Sequence, residues 1–108
     1  MLLTVDVGNS MVNLGVFDDE LLVANLRVST DARRSSDEYG LILRDLLALN
    51  GIEPSVITDV CMCSVVPPLT GVFEELSETY FDVKPLTVVG AVGDEKNVDA
   101  LIGQQLGG

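Results

Sequence analysis

"LLTVDVGNSMVNLGVF", residues 2–17, sets two apolar runs on either side of three small polar residues. The first run, 2–7, is almost continuously apolar and breaks at Gly8-Asn9; the second, 11–17, resumes the pattern. So short a connection joins antiparallel neighbours, because parallel strands need a long crossover. The polar turn 18–20 ("DDE") and a third run over 21–30 ("LLVANLRVST") extend the pattern, so the first thirty residues predict an antiparallel meander.

Beyond residue 30 the periodicity changes. "DARRSSDEYG" (31–40) opens a helix in which Ser35 and Glu38 stand three apart as a capping box, with acids in the first turn. Tyr39, Ile42, Leu43, Leu46 and Leu47 recur at helical spacing, and Asn50-Gly51 supplies the stop. "VITDVCMCSVV" (56–66) reads as a buried strand. Pro67-Pro68 begins a second helix with the stripe Leu69, Val72, Phe73, Leu76 and Tyr80. "KPLTVVG" (84–90) is a fifth strand, and Asp94 caps a last helix carrying Val98, Leu101 and Ile102 before Gly107-Gly108. The predicted order is β-β-β-α-β-α-β-α, an α/β domain over 1–108 with a mixed five-stranded sheet and helices on its faces. Ribonuclease-H-like domains, the repeating half of the actin-like ATPases, have this order.

The 108 residues suit one core, with 47% hydrophobic and 21% charged side chains. The apolar run 60–66 is far shorter than the ~20 residues of a membrane span, and the N-terminus has no basic region ahead of a long apolar segment. A cytoplasmic chain without a membrane partner is expected. The net charge of −11 and the scattering of all bases except Arg33-Arg34 argue against nucleic acid, which is bound by clustered Lys and Arg.

Asp6 near the end of the first strand and the turn Gly8-Asn9-Ser10 form the one constellation suited to phosphate. Small residues let backbone N–H groups approach phosphate oxygens, amide and hydroxyl side chains add donors, and a nearby carboxylate can hold Mg²⁺ through water. The same residue types also build any tight hairpin turn. Cys61 and Cys63 would share one face of a strand, as a metal or redox pair or as small core residues; no histidine and no further cysteine could complete a zinc site. Arg33-Arg34 would meet an anion or form a solvated loop pair. Asp18-Asp19-Glu20 would hold a cation or simply make a polar turn. Nuclease chemistry needs carboxylates converging on two metals, and Asp6 has no evident partners at the other strand ends.

"LLTVDVGNS", "VSTDARRSSDEYG", "SVVPPLT" and "YFDVKPL" occur in an order and spacing that resemble the type III pantothenate kinases over roughly residues 1–90. The resemblance implies phosphoryl transfer from ATP to pantothenate, the first step of coenzyme A synthesis. It also implies Mg²⁺, a monovalent cation and a homodimer. By position, Asp6 matches the carboxylate of the family's first phosphate motif, with Gly8, Asn9 and Ser10 as its turn, and Asp37-Glu38-Tyr39 matches its D-E-Y block. Met11 and Val12 depart from it, standing where polar residues are usual, and Asn13 stands where an apolar one is. The family's second domain, with its second phosphate motif and adenosine segment, has no match here. Nor has its G-A-D-R motif: Asp99 falls near that place without the Gly and Arg. The tail 92–108 is similar to a late helix of the family, which points to a truncated or re-engineered half-protein. Two functions are compatible with this pattern: a phosphate- and Mg·ATP-binding half without catalysis of its own, or a homodimeric assembly module.

Overall fold

The computed structural model describes residues 1–89. Strands β1 (Leu2–Val7), β2 (Met11–Asp18) and β3 (Leu21–Ser29) form the expected meander. Helix α1 (Ser36–Leu49) leads through a 3-10 turn at Pro54–Val56 to β4 (Asp59–Ser64), and α2 (Pro67–Phe81) leads to β5 (Leu86–Val89). The sheet order is β3-β2-β1-β4-β5. β1 pairs antiparallel with β2 and parallel with β4, and β5 lies parallel to β4. Each parallel step is bridged by a helix, as parallel neighbours require.

Strand alternation divides the sheet into two faces. Leu3, Val5 and Val7 stand beside Val16, Leu14 and Val12 on one side and Val60 and Met62 on the other. These side chains form one core with Tyr39, Leu43 and Leu47 of α1 and Leu69, Phe73 and Leu76 of α2. Val12, which the family comparison marks as a departure, is therefore a buried core residue, while its neighbour Met11 is exposed. The opposite face carries Thr4 and Asp6, and their β4 partners Cys61 and Cys63. Both cysteines are buried there. Burial, with Cys63 close by, pushes the Cys61 thiol up, so it is a poor nucleophile and behaves as a small core residue.

The capping box of α1 is present in full. Glu38 N donates to Ser35 Oγ at 3.2 Å and Ser35 N to Glu38 Oε1 at 3.0 Å. Those bonds from Ser35 hold the Glu38 carboxyl below its ordinary value. Asn50 caps the C-terminus, and Gly51 follows with φ +73°. On α2, Leu69, Phe73 and Leu76 are buried, with Val72 and Tyr80 packed at the margin.

Three strands are shorter than the sequence pattern suggests. β4 starts at Asp59, not Val56, because Pro54 opens a 3-10 turn first; it ends at Ser64, whose Oγ accepts from Val66 N at 3.2 Å and turns the chain into α2. β5 starts at Leu86, after Pro85, which has no N–H to give the ladder. β3 ends at Ser29, leaving Thr30 free for other work. The expected helix from Asp94 lies outside the described residues. No helix among the described residues is long and apolar enough to cross a membrane.

Candidate phosphate-binding turn

Asp6 is the penultimate residue of β1, half-buried, in register with Asn13 on β2 and Cys63 on β4. Just past Val7, the last residue of β1, Gly8, Asn9 and Ser10 carry the chain round to β2 at the carboxyl end of the central strand. Ligands of open α/β sheets bind outside that end of the strands.

The turn is held from inside. Gly8 N donates to Met11 O at 3.0 Å. Thr30, just past β3, makes two bonds to it: its N–H donates to Ser10 O at 2.9 Å, and its hydroxyl donates to Gly8 O at 2.7 Å. A side chain on residue 8 would place its Cβ 3.0 Å from Met11 O, which makes glycine the fitting residue there. Asn9 and Ser10 are exposed, and among the described residues nothing accepts from their backbone amides. The result is a tied loop with two outward residues whose backbone amides have no acceptor among the described residues, flanked by a carboxylate.

The loop after Thr30 is equally tied. Tyr39 is fully buried, yet its hydroxyl accepts from Asp31 N at 2.9 Å and donates to Asp31 O at 3.1 Å. Arg33 chelates the Asp31 carboxylate through Nε at 3.1 Å and Nη2 at 3.3 Å. That bond holds the Asp31 carboxyl below its ordinary range. Arg34 donates to Ser29 O at 2.9 Å, and its guanidinium lies 5.3 Å from the centre of the Tyr39 ring. Arg33 thus has its partner within the loop, and Arg34 has its partners at the end of β3 and on α1. Of the two acids that start α1, Glu38 serves the cap, whereas Asp37 accepts from the Tyr80 hydroxyl on α2 at 3.1 Å. Asp18 and Asp19 lie at the other end of the sheet, in a crevice of about 370 Å³ with Met1, Phe17 and Asp59. Among the described residues no three His, Cys, Asp or Glu side chains gather in a way that could hold a metal.

Sequence reasoning singled out Asp6 and the turn as candidates but not Thr30, which ties the turn, nor Tyr39, which ties the loop after it. Thr30 read as the end of a strand and Tyr39 as one position in a helical stripe. Only the unusual β-β-β opening, which returns the end of the third strand to the first turn, hinted at a clamp from residue 30.

The family model for type III pantothenate kinase matches residues 2–107. The chain belongs to that family. It is 53% identical over 88 residues to the type III pantothenate kinase of Geotalea daltonii and 51% identical over 88 residues to that of Geobacter sulfurreducens. Each match covers 82% of this chain and 34% of the relative, so the chain spans about a third of the length of the curated relatives it matches. The ROK hexokinase of Thermus thermophilus superposes with a TM-score of 0.59 at 14% identity, covering 82% of this chain and 34% of the hexokinase. That likeness concerns the fold alone, the ribonuclease-H-like arrangement predicted from the element order.

Proposed function

We propose that this chain supplies the phosphate-binding half of an ATP-dependent pantothenate kinase. In this reading the Gly8–Ser10 turn holds the phosphates of Mg·ATP, and Asp6 holds the Mg²⁺. The observation that carries it is the turn itself: pinned from behind by Thr30, it presents Asn9 and Ser10, whose backbone amides have no acceptor among the described residues, beside Asp6. The residues present fit the ion. Mg²⁺ keeps several of its waters and is commonly bound by one or two carboxylates plus phosphate oxygens, so a single half-buried aspartate suits it better than it would suit a metal needing a full protein cage. When bound, Mg²⁺ neutralises charge on the phosphates. The chain's own contributions are to orient the phosphates by backbone N–H groups and to fix the turn.

Phosphoryl transfer depends on positioning and charge stabilisation around the whole phosphate group. The turn provides one side of it, so this stretch is assigned binding of ATP rather than turnover of pantothenate. Isothermal titration with Mg·ATP tests the assignment. Saturable binding is expected, weakened about ten- to hundredfold in Asp6→Ala, the range for losing a charged partner. Absence of heat from folded wild-type protein at millimolar nucleotide rules the assignment out.

A second reading, self-association, is favoured by the edge strand β3. Leu21, Leu22 and Val23 are consecutive and exposed by 67%, 48% and 40%, on a strand that pairs only with β2 among the described residues. An exposed apolar edge of this kind is a ready template for pairing with another chain. Two copies joined edge to edge through β3 would make an isologous dimer. Light scattering should give twice the chain mass for the wild type and the single-chain mass for Leu21→Lys/Val23→Lys. A monomeric wild type, or a charged variant that stays dimeric, removes this reading.

A further inference from the structure

We propose that Thr30 is the positioning residue of the phosphate turn: its hydroxyl, bonded to the Gly8 carbonyl, sets the direction in which the Asn9 N–H points. The proposal rests on the phosphate-binding reading above and deepens it by assigning the source of the turn's geometry. A trans peptide unit is planar, with its C=O and the following N–H on opposite sides. The Gly8 carbonyl is held on Thr30 Oγ1 at 2.7 Å. The N–H of the same peptide unit, that of Asn9, must therefore face away from Thr30, on the exposed side of the loop. Likewise, Thr30 N on Ser10 O at 2.9 Å fixes the next peptide but one, and with it the Met11 N–H. The carbonyls of the two residues that flank Asn9 are thus tied to one residue, 22 positions from Gly8 and 20 from Ser10.

Thr30 is itself held in place. The next residue, Asp31, has both its backbone N–H and its C=O bonded to the Tyr39 hydroxyl, at 2.9 and 3.1 Å. Tyr39 is fully buried, and its ring centre lies 4.8 Å from that of Phe73 on α2. The aim of one amide at the surface is in this way referred to the packed core. A hydroxyl is required at position 30, whereas a methyl group is not, so threonine and serine should serve alike and valine should not.

The test compares Thr30→Val and Thr30→Ser in the full chain by two independent readouts. The first is the ¹⁵N order parameter of the Asn9 amide, measured without nucleotide. It is expected to stay near the rigid value of about 0.85 in wild type and Thr30→Ser and to fall towards about 0.6 in Thr30→Val. The second is the affinity for Mg·ATP, expected to weaken about five- to tenfold in Thr30→Val and to be restored in Thr30→Ser, in line with one net hydrogen bond. An unchanged Asn9 order parameter in Thr30→Val overturns the role of Thr30, as does equal loss in the serine variant. If no variant and no wild type binds nucleotide while the Asn9 amide still loosens in Thr30→Val alone, the phosphate-binding reading fails and the positioning role of Thr30 stands.

Discussion

In Tyr39→Ala the free energy of unfolding is expected to fall by about 3–5 kcal/mol, the range for truncating a large buried aromatic. Tyr39 is the largest fully buried side chain of the described core. Its ring packs on Phe73, and aromatic pairs of this kind contribute about 0.5–1.5 kcal/mol beyond area alone. Its removal also strips the Asp31 N–H and C=O of their partner and leaves the Arg34 guanidinium without the ring it covers. A domain of this size has about 5–15 kcal/mol in all, so the variant should be near the edge of folding at room temperature. Tyr39→Phe keeps the ring and loses only the hydroxyl, and about 1–2 kcal/mol is expected for it. Urea denaturation with an unchanged slope for Tyr39→Phe separates the two terms. A loss under about 1 kcal/mol for Tyr39→Ala, well below the truncation range, would show that the ring does not hold α1 to the core.

Gly40→Ala is expected to destabilise by about 1–3 kcal/mol, although alanine normally favours a helix interior by up to about 1 kcal/mol over glycine. The reason is the approach of α2. A Cβ on residue 40 would collide with the Tyr80 ring, well inside any real carbon–carbon contact. Rotating that ring away breaks the bond from the Tyr80 hydroxyl to Asp37 Oδ1. The steric origin makes the effect conditional. In a Tyr80→Ala background the space is empty, and Gly40→Ala should become neutral or stabilising, a coupling that a double-mutant cycle measures directly. If Gly40→Ala raises the melting temperature with Tyr80 in place, the two helices are not packed as closely as described.

The residues that made the fold legible were those whose information is local. Leu2–Val7 and Met11–Phe17 read as strands from apolar runs on either side of small residues, and Ser35 with Glu38 read as a cap from their spacing. Val12 reads only as a departure beside the turn, although with Leu14 and Val16 it keeps the period of two that places it in the core. The ends of β3, β4 and β5 were not legible, because each is set by one competing bond or missing donor: Thr30 on the first turn, Ser64 on Val66, Pro85 before Leu86. The site divides in the same way. Asp6, Gly8, Asn9 and Ser10 are candidates by composition, small residues beside a carboxylate, although the same residue types also build a plain hairpin turn. Thr30 and Tyr39 act through bonds to residues distant in sequence, and their side-chain types are equally at home in a strand end and a helix stripe. Arg33 and Arg34 read as meeting an anion or as a solvated loop pair, and the structure shows both engaged nearby, Arg33 on Asp31 and Arg34 on the end of β3.

The central claim is that phosphate sits on the turn after β1. The most direct measurement is a titration of ¹⁵N-labelled chain with Mg·ATP, following every backbone amide. The account predicts saturable shifts largest at Gly8, Asn9, Ser10 and Met11, and their loss in Asp6→Ala. Shifts at millimolar nucleotide that leave these four amides unmoved, or no shifts at all in a well-folded chain, would contradict it.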